Sequence, residues 1–252
     1  MGALGQAEKQ PPATTAMKAV VDQVEADWVD GRWANTEVGP FLASTILTPR
    51  GRVDKGIAIK VGDKAQATVC FNTELLGYNA AWTGGFLNMK ANRYGLTSWP
   101  DPKGDMTFVN GNAVGWAHES GWNDPRANKR GPLPRHWAKY RGLYRHGKRV
   151  ALHYTVGDAT ILESPWAGEI GGQPFLSRTL EVGAAAKSLS SLVTTNPDMT
   201  ATLVDSTTAK LTDDFRAIWV RALGQAATLS VSGKRIHLNI APGKAKRLAK
   251  VL

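Results

Sequence analysis

The sequence predicts a mostly-β protein: an antiparallel β-sandwich or open β-barrel with a short N-terminal helix and a long irregular loop. Three observations lead there. Short runs with a two-residue hydrophobic period recur along the chain, separated by glycine-centred turns. Glycine and proline number 26 and 13 in 252 residues, which suits many turns better than a helical bundle. Helical spacing is rare, and many short strands with few helices point to a sandwich or barrel.

Residues 1–17, with Gln10-Pro11-Pro12 among small residues, read as a flexible leader, and residues 18–252 as one mostly-β domain. Over 18–30, Val20, Val21, Val24 and Trp28 recur at three- and four-residue spacings, the pattern of an amphipathic helix. The period then changes to two. Phe41–Leu47 is a predicted strand ended by Pro49-Arg50-Gly51, and 55–61 (KGIAIKV) pairs through Gly62-Asp63 with 66–71 (QATVCF). Cys70 in that return strand reads as a small buried hydrophobe. Leu75, Leu76 and Tyr78 suggest another short strand, and Phe86–Met89 a further one.

Residues 99–136 are rich in Gly, Pro, Asn and Asp and form the long irregular region, a kind of segment that often carries function. The clearest pattern follows. Gly142–Arg145, Arg149–Val156 and Ala159–Glu163, joined at His146-Gly147 and Gly157-Asp158, predict a three-stranded meander with Val150, Leu152, Tyr154 and Val156 on one face. Residues 165–180 read mainly as a connector, overlapped by an alternating run at Phe175–Val182. Ala201–Val204 is a predicted strand, Lys210–Phe215 a helical turn or loop, and Ala226–Val231 with Arg235–Ile240 the last hairpin. The final ten residues read as a terminal helix or a frayed end.

Lys plus Arg total 31 against 21 Asp plus Glu, a formal charge of +10. The basic residues are scattered in ones and twes until the tail, Lys244, Lys246, Arg247 and Lys250, so a solvated basic surface is expected rather than a nucleic-acid partner. No apolar run has the roughly 18 residues of a membrane span. The opening residues lack a basic stretch followed by an apolar one, so no signal peptide is read there. One cysteine excludes an internal disulfide and every C-x-x-C metal or haem motif. G-x-S-x-G, GxxxxGK[ST] and dinucleotide-binding glycine motifs are absent.

Several strings between Gly39 and Trp166 resemble a known family: GPFLASTIL, KGIAIKV, CFNTELLGYNAAWTGGFL, GPLPRHWAKYRGLYRHGKRVALHYTVGD and ILESP. They are similar to an uncharacterised domain of large secreted proteins of Planctomycetes and Verrucomicrobia. Those proteins also carry sugar-dehydrogenase-like propellers and cytochrome c modules. The resemblance carries no activity. It implies an extracytoplasmic setting, periplasmic or secreted, and a neighbour that handles carbohydrate or electrons. C-x-x-C-H is missing, so no covalent haem is expected, and no cofactor is assigned.

The residues themselves suggest a ligand surface. Nine tryptophans is a high number, and Trp99, Trp116, Trp122 and Trp137 lie on or beside the irregular region. Flat rings stack on sugar faces, and Asn123, Asp124 and Arg126 supply polar groups for hydroxyls. These seven residues form the expected ligand-binding set. His118, His136, His146 and His153 fall close together in sequence but lack H-x-H or H-E-x-x-H spacing, so no metal is assigned. Glu74, Asp124 and Glu163 are the acids near aromatic segments, and Tyr144 with His146 or His153 is a conceivable acid–base pair. The leading expectation is a non-catalytic binding module for carbohydrate or a partner domain in an extracytoplasmic oxidative or polysaccharide-processing system. A polysaccharide hydrolase or lyase, and a structural spacer, are the alternatives.

Overall fold

The computed structural model describes residues 37–89, 99–119 and 121–252. The expected leader and the helix over 18–30 lie outside the described residues. Within them the chain is strand, turn and irregular backbone, the last mainly over 110–137, with no helix.

The first sheet is built by hairpin succession. β1 (Phe41–Thr48) pairs with β2 (Gly51–Val61), β2 with β3 (Ala67–Asn72), and β3 with β4 (Gly77–Thr83), all antiparallel. After a two-stranded ribbon of β5 (Leu87–Asn88) and β6 (Asp101–Pro102), β7 (Asp105–Val109) adds to β4 and completes a five-stranded sheet, β1-β2-β3-β4-β7. β2 explains its own register. Ile57, Ile59 and Val61 feed one apolar cluster, while Val53 and Ala58 feed a second on the opposite face with Ile46, Cys70, Ala80 and Trp82. Both faces are covered, so β3 is buried at every position and β4 at all but the last. Leu75 and Leu76, expected in a strand, sit instead in the turn between β3 and β4, yet are buried to 1% exposure each.

The second sheet begins with the predicted meander: β8 (Ala138–His146), β9 (Arg149–Val156) and β10 (Ala159–Ile170). β9 alternates as expected, with Val150, Leu152, Tyr154 and Val156 buried. The expected connector over 165–180 is instead a long hairpin. β10 runs to Ile170, turns at Gly171-Gly172, and pairs with β11 (Gln173–Val182) without interruption from Ile170↔Gln173 to Ile161↔Val182. The glycines that suggested a loop are the hairpin turn, where positive φ suits glycine. β12 (Leu189–Thr195), β16 (Ala227–Ser232) and β17 (Arg235–Ile240) form a three-stranded sheet in the order β12-β17-β16.

The rest joins the large sheet, ordered β13-β14-β15-β18-β11-β10-β9-β8, through β13 (Thr200–Asp205), β14 (Thr208–Thr212), β15 (Ala217–Leu223) and β18 (Arg247–Val251). Two expectations are corrected here. Lys210–Phe215 is a strand as far as Thr212, because β14 has partners on both sides. The last residues form β18, not a helix. Lys, Arg, Ala and Leu favour helix, but β11 and β15 offer open backbone partners on either side, and Ala249 and Val251 are buried. All three larger sheets contribute to one apolar cluster, with Phe71, Trp116, Tyr154, Leu180, Leu211 and Leu238 among its members.

Candidate functional site

The seven sequence-predicted residues occupy three kinds of place. Trp116 is fully buried and Trp137 is 5% exposed. Trp137 Nε1 donates to the Trp116 carbonyl at 3.1 Å. The irregular region is threaded rather than draped here: Ala117 N donates to Ser190 O and Leu192 N to Gly115 O, tying it to β12. These two rings are core. Trp122 is half-buried, its ring 5.3 Å from His237 on β17. Trp99 is half-buried, with the Arg52 guanidinium 4.9 Å from its ring centre. Asn123 is exposed.

Asp124 and Arg126 are bound to each other. Arg126 Nε and Nη2 donate to the two Asp124 carboxylate oxygens at 2.9 Å each, and Arg126 N donates to Asp124 Oδ1 at 3.0 Å. Arg126 Nη1 donates to Gly131 O and stands 3.7 Å from Glu74. The arginine's hydrogen bonds hold the Asp124 carboxyl below the usual carboxylate range. The arrangement closes the loop and gathers two of the candidate acids around one cation.

Among the histidines, the His118 and His136 rings are 5.5 Å apart, beside Trp137. No group of three possible metal ligands occurs among the described residues. His153 stacks on Tyr144 at 5.8 Å between ring centres, and Tyr144 is 59% exposed. This is ring contact, not a hydrogen bond.

The third acid, Glu163, sits in a buried polar cluster that no local sequence pattern foretells. β9, β10 and β11 place Tyr154, Glu163 and Arg178 on the inward face. Arg178 Nε donates to Glu163 Oε1 and Tyr154 Oη to Glu163 Oε2, each at 2.5 Å. Arg178 Nη1 donates to Leu192 O at 2.7 Å and Nη2 to Ser191 Oγ at 3.0 Å, so the ion pair also staples β11 to β12. Tyr78 lies with its ring 4.9 Å from the guanidinium carbon. Its hydroxyl is buried without a hydrogen bond of good geometry, but burial and then the Glu163 charge raise its pKa. Burial opposes the Arg178 charge; the Glu163 carboxylate outweighs it, and the arginine stays protonated. Glu163 is fully buried with both oxygens occupied, a structural anchor rather than a free acid or nucleophile.

Beside this cluster the large sheet splits. β18 pairs with β11 over Arg178–Val182, and with β15 at Ala222 and Leu223. Farther along, the ends of β11 and β15 flank a cleft of about 710 Å³. Phe175 and Leu176 form one lip and Ile218, Trp219 and Arg221 the other. The five-stranded sheet contributes Val69, Tyr78 and Phe108. Lys250 pairs with both Thr179 and Leu223; Phe175 precedes the first by four residues and Trp219 the second by four. The two residues are therefore level with each other across the opening. Trp219 is 59% exposed and Phe175 half-buried. The charged side chains lining the cleft are Arg178 and Arg221, with no Asp or Glu.

The sequence analysis misses this site because it has no strand over 217–223, although Phe175 opens the alternating run that overlaps the expected connector. The alternation in AIWVRAL, with Trp219 and Arg221 on one face and Val220 and Ala222 on the other, was the available signal.

Residues 69–163, from β3 into β10, match the model of a family described as a domain of unknown function (DUF6797). The match covers less than half of the chain. No curated protein matches the sequence. No helix among the described residues is long and apolar enough to cross a membrane.

Proposed function

We propose that this protein is a non-catalytic carbohydrate-binding module, that its five- and eight-stranded sheets are the two layers of a sandwich, and that its ligand enters the cleft between β11 and β15. The observation that carries the reading is the pair of aromatic residues at one register, Phe175 and Trp219, at the mouth of an aromatic-walled cleft with no carboxylate side chain in its lining. Ring faces set apart by a cleft give stacking area for sugar C–H surfaces, and Arg221 and Thr208 supply polar contacts at the rim. The surrounding chemistry argues for holding over cutting. The candidate acids are engaged, Glu163 with Arg178 and Tyr154, Asp124 with Arg126. An extracytoplasmic setting beside a carbohydrate- or electron-handling neighbour rests on the resemblance of the Gly39–Trp166 segment alone.

The test is a fluorescence titration of the purified chain with neutral and acidic polysaccharides, with reducing ends and unsaturated products assayed in the same wells. Saturable binding without products is expected. Trp219→Ala should weaken it by roughly tenfold or more, the loss of one stacked ring, without changing the circular dichroism. Product release, or binding indifferent to Trp219→Ala, would overturn the reading.

A further inference from the structure

The outward face of the eight-stranded sheet continues the cleft as a strip. Six consecutive strands each present one side chain to it: Lys210 on β14, Trp219 on β15, Lys250 on β18, Phe175 on β11, Trp166 on β10 and Arg149 on β9. The register places them on one face. Lys210 is directly opposite Trp219. Trp219 alternates with Leu223, which pairs with Lys250, which pairs with Thr179. Thr179, Ser177 and Phe175 share a side of β11, and Ser177 is opposite Trp166. The inward positions of the same strands are Leu180, Ala249, Val220 and Ala209, all buried.

Every ring in the strip has its own cation. The Arg149 guanidinium lies 3.8 Å over Trp166, Lys210 Nζ 5.6 Å over Trp219 and Lys250 Nζ 5.9 Å over Phe175. Glu181, an outward carboxylate of β11, is already paired with Lys246 at 2.7 Å. The strip thus combines three cations with three rings, in a chain of net charge +10.

We propose that this strip binds a carboxylated polysaccharide lying across the strands, its sugar faces on Trp219 and Phe175 and its carboxylates on Lys210, Lys250 and Arg149. The proposal rests on the carbohydrate-binding reading above and names the class of glycan. A sugar acid offers an apolar ring face and a carboxylate in each residue, which matches a strip that sets a cation beside each of its three rings. Six strands at the usual sheet spacing extend over about 24 Å, room for a short oligosaccharide. A single-stranded nucleic acid is also a flat-ringed polyanion, but nucleobases stack over a whole aromatic face. Arg149 already covers that face of Trp166. A carboxylate meets the same guanidinium at its free edge while the sugar packs beside it.

The experiment uses polygalacturonate and carboxymethyl cellulose as acidic probes, a neutral galactan and cellulose oligomers as neutral ones, and a mixed-sequence single-stranded oligonucleotide. Each is titrated at low and high salt against the native chain, Trp219→Ala and the triple charge variant Lys210→Gln/Lys250→Gln/Arg149→Gln, with folding checked by circular dichroism. The expected result is saturable binding of at least one acidic probe, weakened about tenfold or more by high salt and again by the triple variant. Neutral glycans that bind through Trp219 as tightly as the acidic ones, unaffected by the triple variant, would overturn the acidic specificity and leave the carbohydrate reading standing. Tighter binding of the oligonucleotide than of both acidic probes would overturn the proposal. Binding of none of the glycans by the folded chain would end both.

Discussion

Among the described residues, Glu163 is the one fully buried carboxylate. It lies near aromatic residues, at the end of a predicted strand, and is an acid of the kind a glycosidase uses. In the structure its two oxygens are held by Arg178 and Tyr154, and the same arginine reaches the Leu192 carbonyl and Ser191 hydroxyl. Such a pair stabilises through completeness: each charge is costly to bury, and removing one leaves the other uncompensated. Glu163→Gln should therefore lower stability by about 3 kcal/mol or more, read from the midpoint of urea unfolding. Joining it to Arg178→Met should recover part of that loss, because the stranded cation goes too. If Glu163→Gln unfolds at the native midpoint, the pair is not an anchor. Cys70 lies at the other extreme of legibility. It was expected to be a small buried hydrophobe and is fully buried, its thiol pushed up to about 12 by burial.

At the scale of elements, the sequence speaks clearly where local pattern and tertiary setting agree. β9 alternates because one face is core and the other is not, and β17 reads the same way. β3 and β4 are buried on both faces, so their residues show apolar runs rather than alternation. β18 departs from the expected helix or frayed end because its composition favours helix while its neighbours need a strand. The cleft is out of reach of the sequence for a similar reason: its lips belong to β11 and β15, which meet only through the short β18. Glycine marked another tertiary event that sequence could not interpret. Gly115 crosses the β3–β4 turn so closely that a Cβ there would lie 1.9 Å from the Leu76 carbonyl oxygen, which is backbone and cannot swing aside. This approach lets Gly115 N donate to Leu75 O at 2.8 Å and carries Trp116 into the core. Gly115→Ala should cost about 2–3 kcal/mol and depress the near-ultraviolet signal of the buried tryptophans. A variant with unchanged stability and spectrum would show that the crossing relaxes freely.

For the whole molecule, the question is whether the family-matched stretch, residues 69–163, is a physical unit. Its limits cut through structure at both ends. At the start, β3 would lose β2, its partner from Gly56↔Asn72 to Val61↔Ala67, and with it Ile57, Ile59 and Ala58 from the two apolar clusters. At the end, Glu163 would keep Tyr154 but lose Arg178, and β10 would lose β11. Trp116 would lose its bridge to Ser191 on β12, and the core would lose Leu180, Leu211 and Leu238. The stretch would expose a long unpaired edge and a buried charge without its partner, conditions under which a chain of this length does not hold one structure. The expected outcome is that 69–163 expressed alone shows no cooperative melt and no near-ultraviolet tryptophan signal. Residues 37–252 should melt in a single transition seen alike by backbone dichroism and tryptophan fluorescence, because β2, β3 and β4 serve both apolar clusters and neither can come apart alone. A dispersed amide spectrum and a cooperative melt from the short fragment would mean that the matched stretch is self-sufficient. The Glu163–Arg178 staple would then join two units rather than complete one.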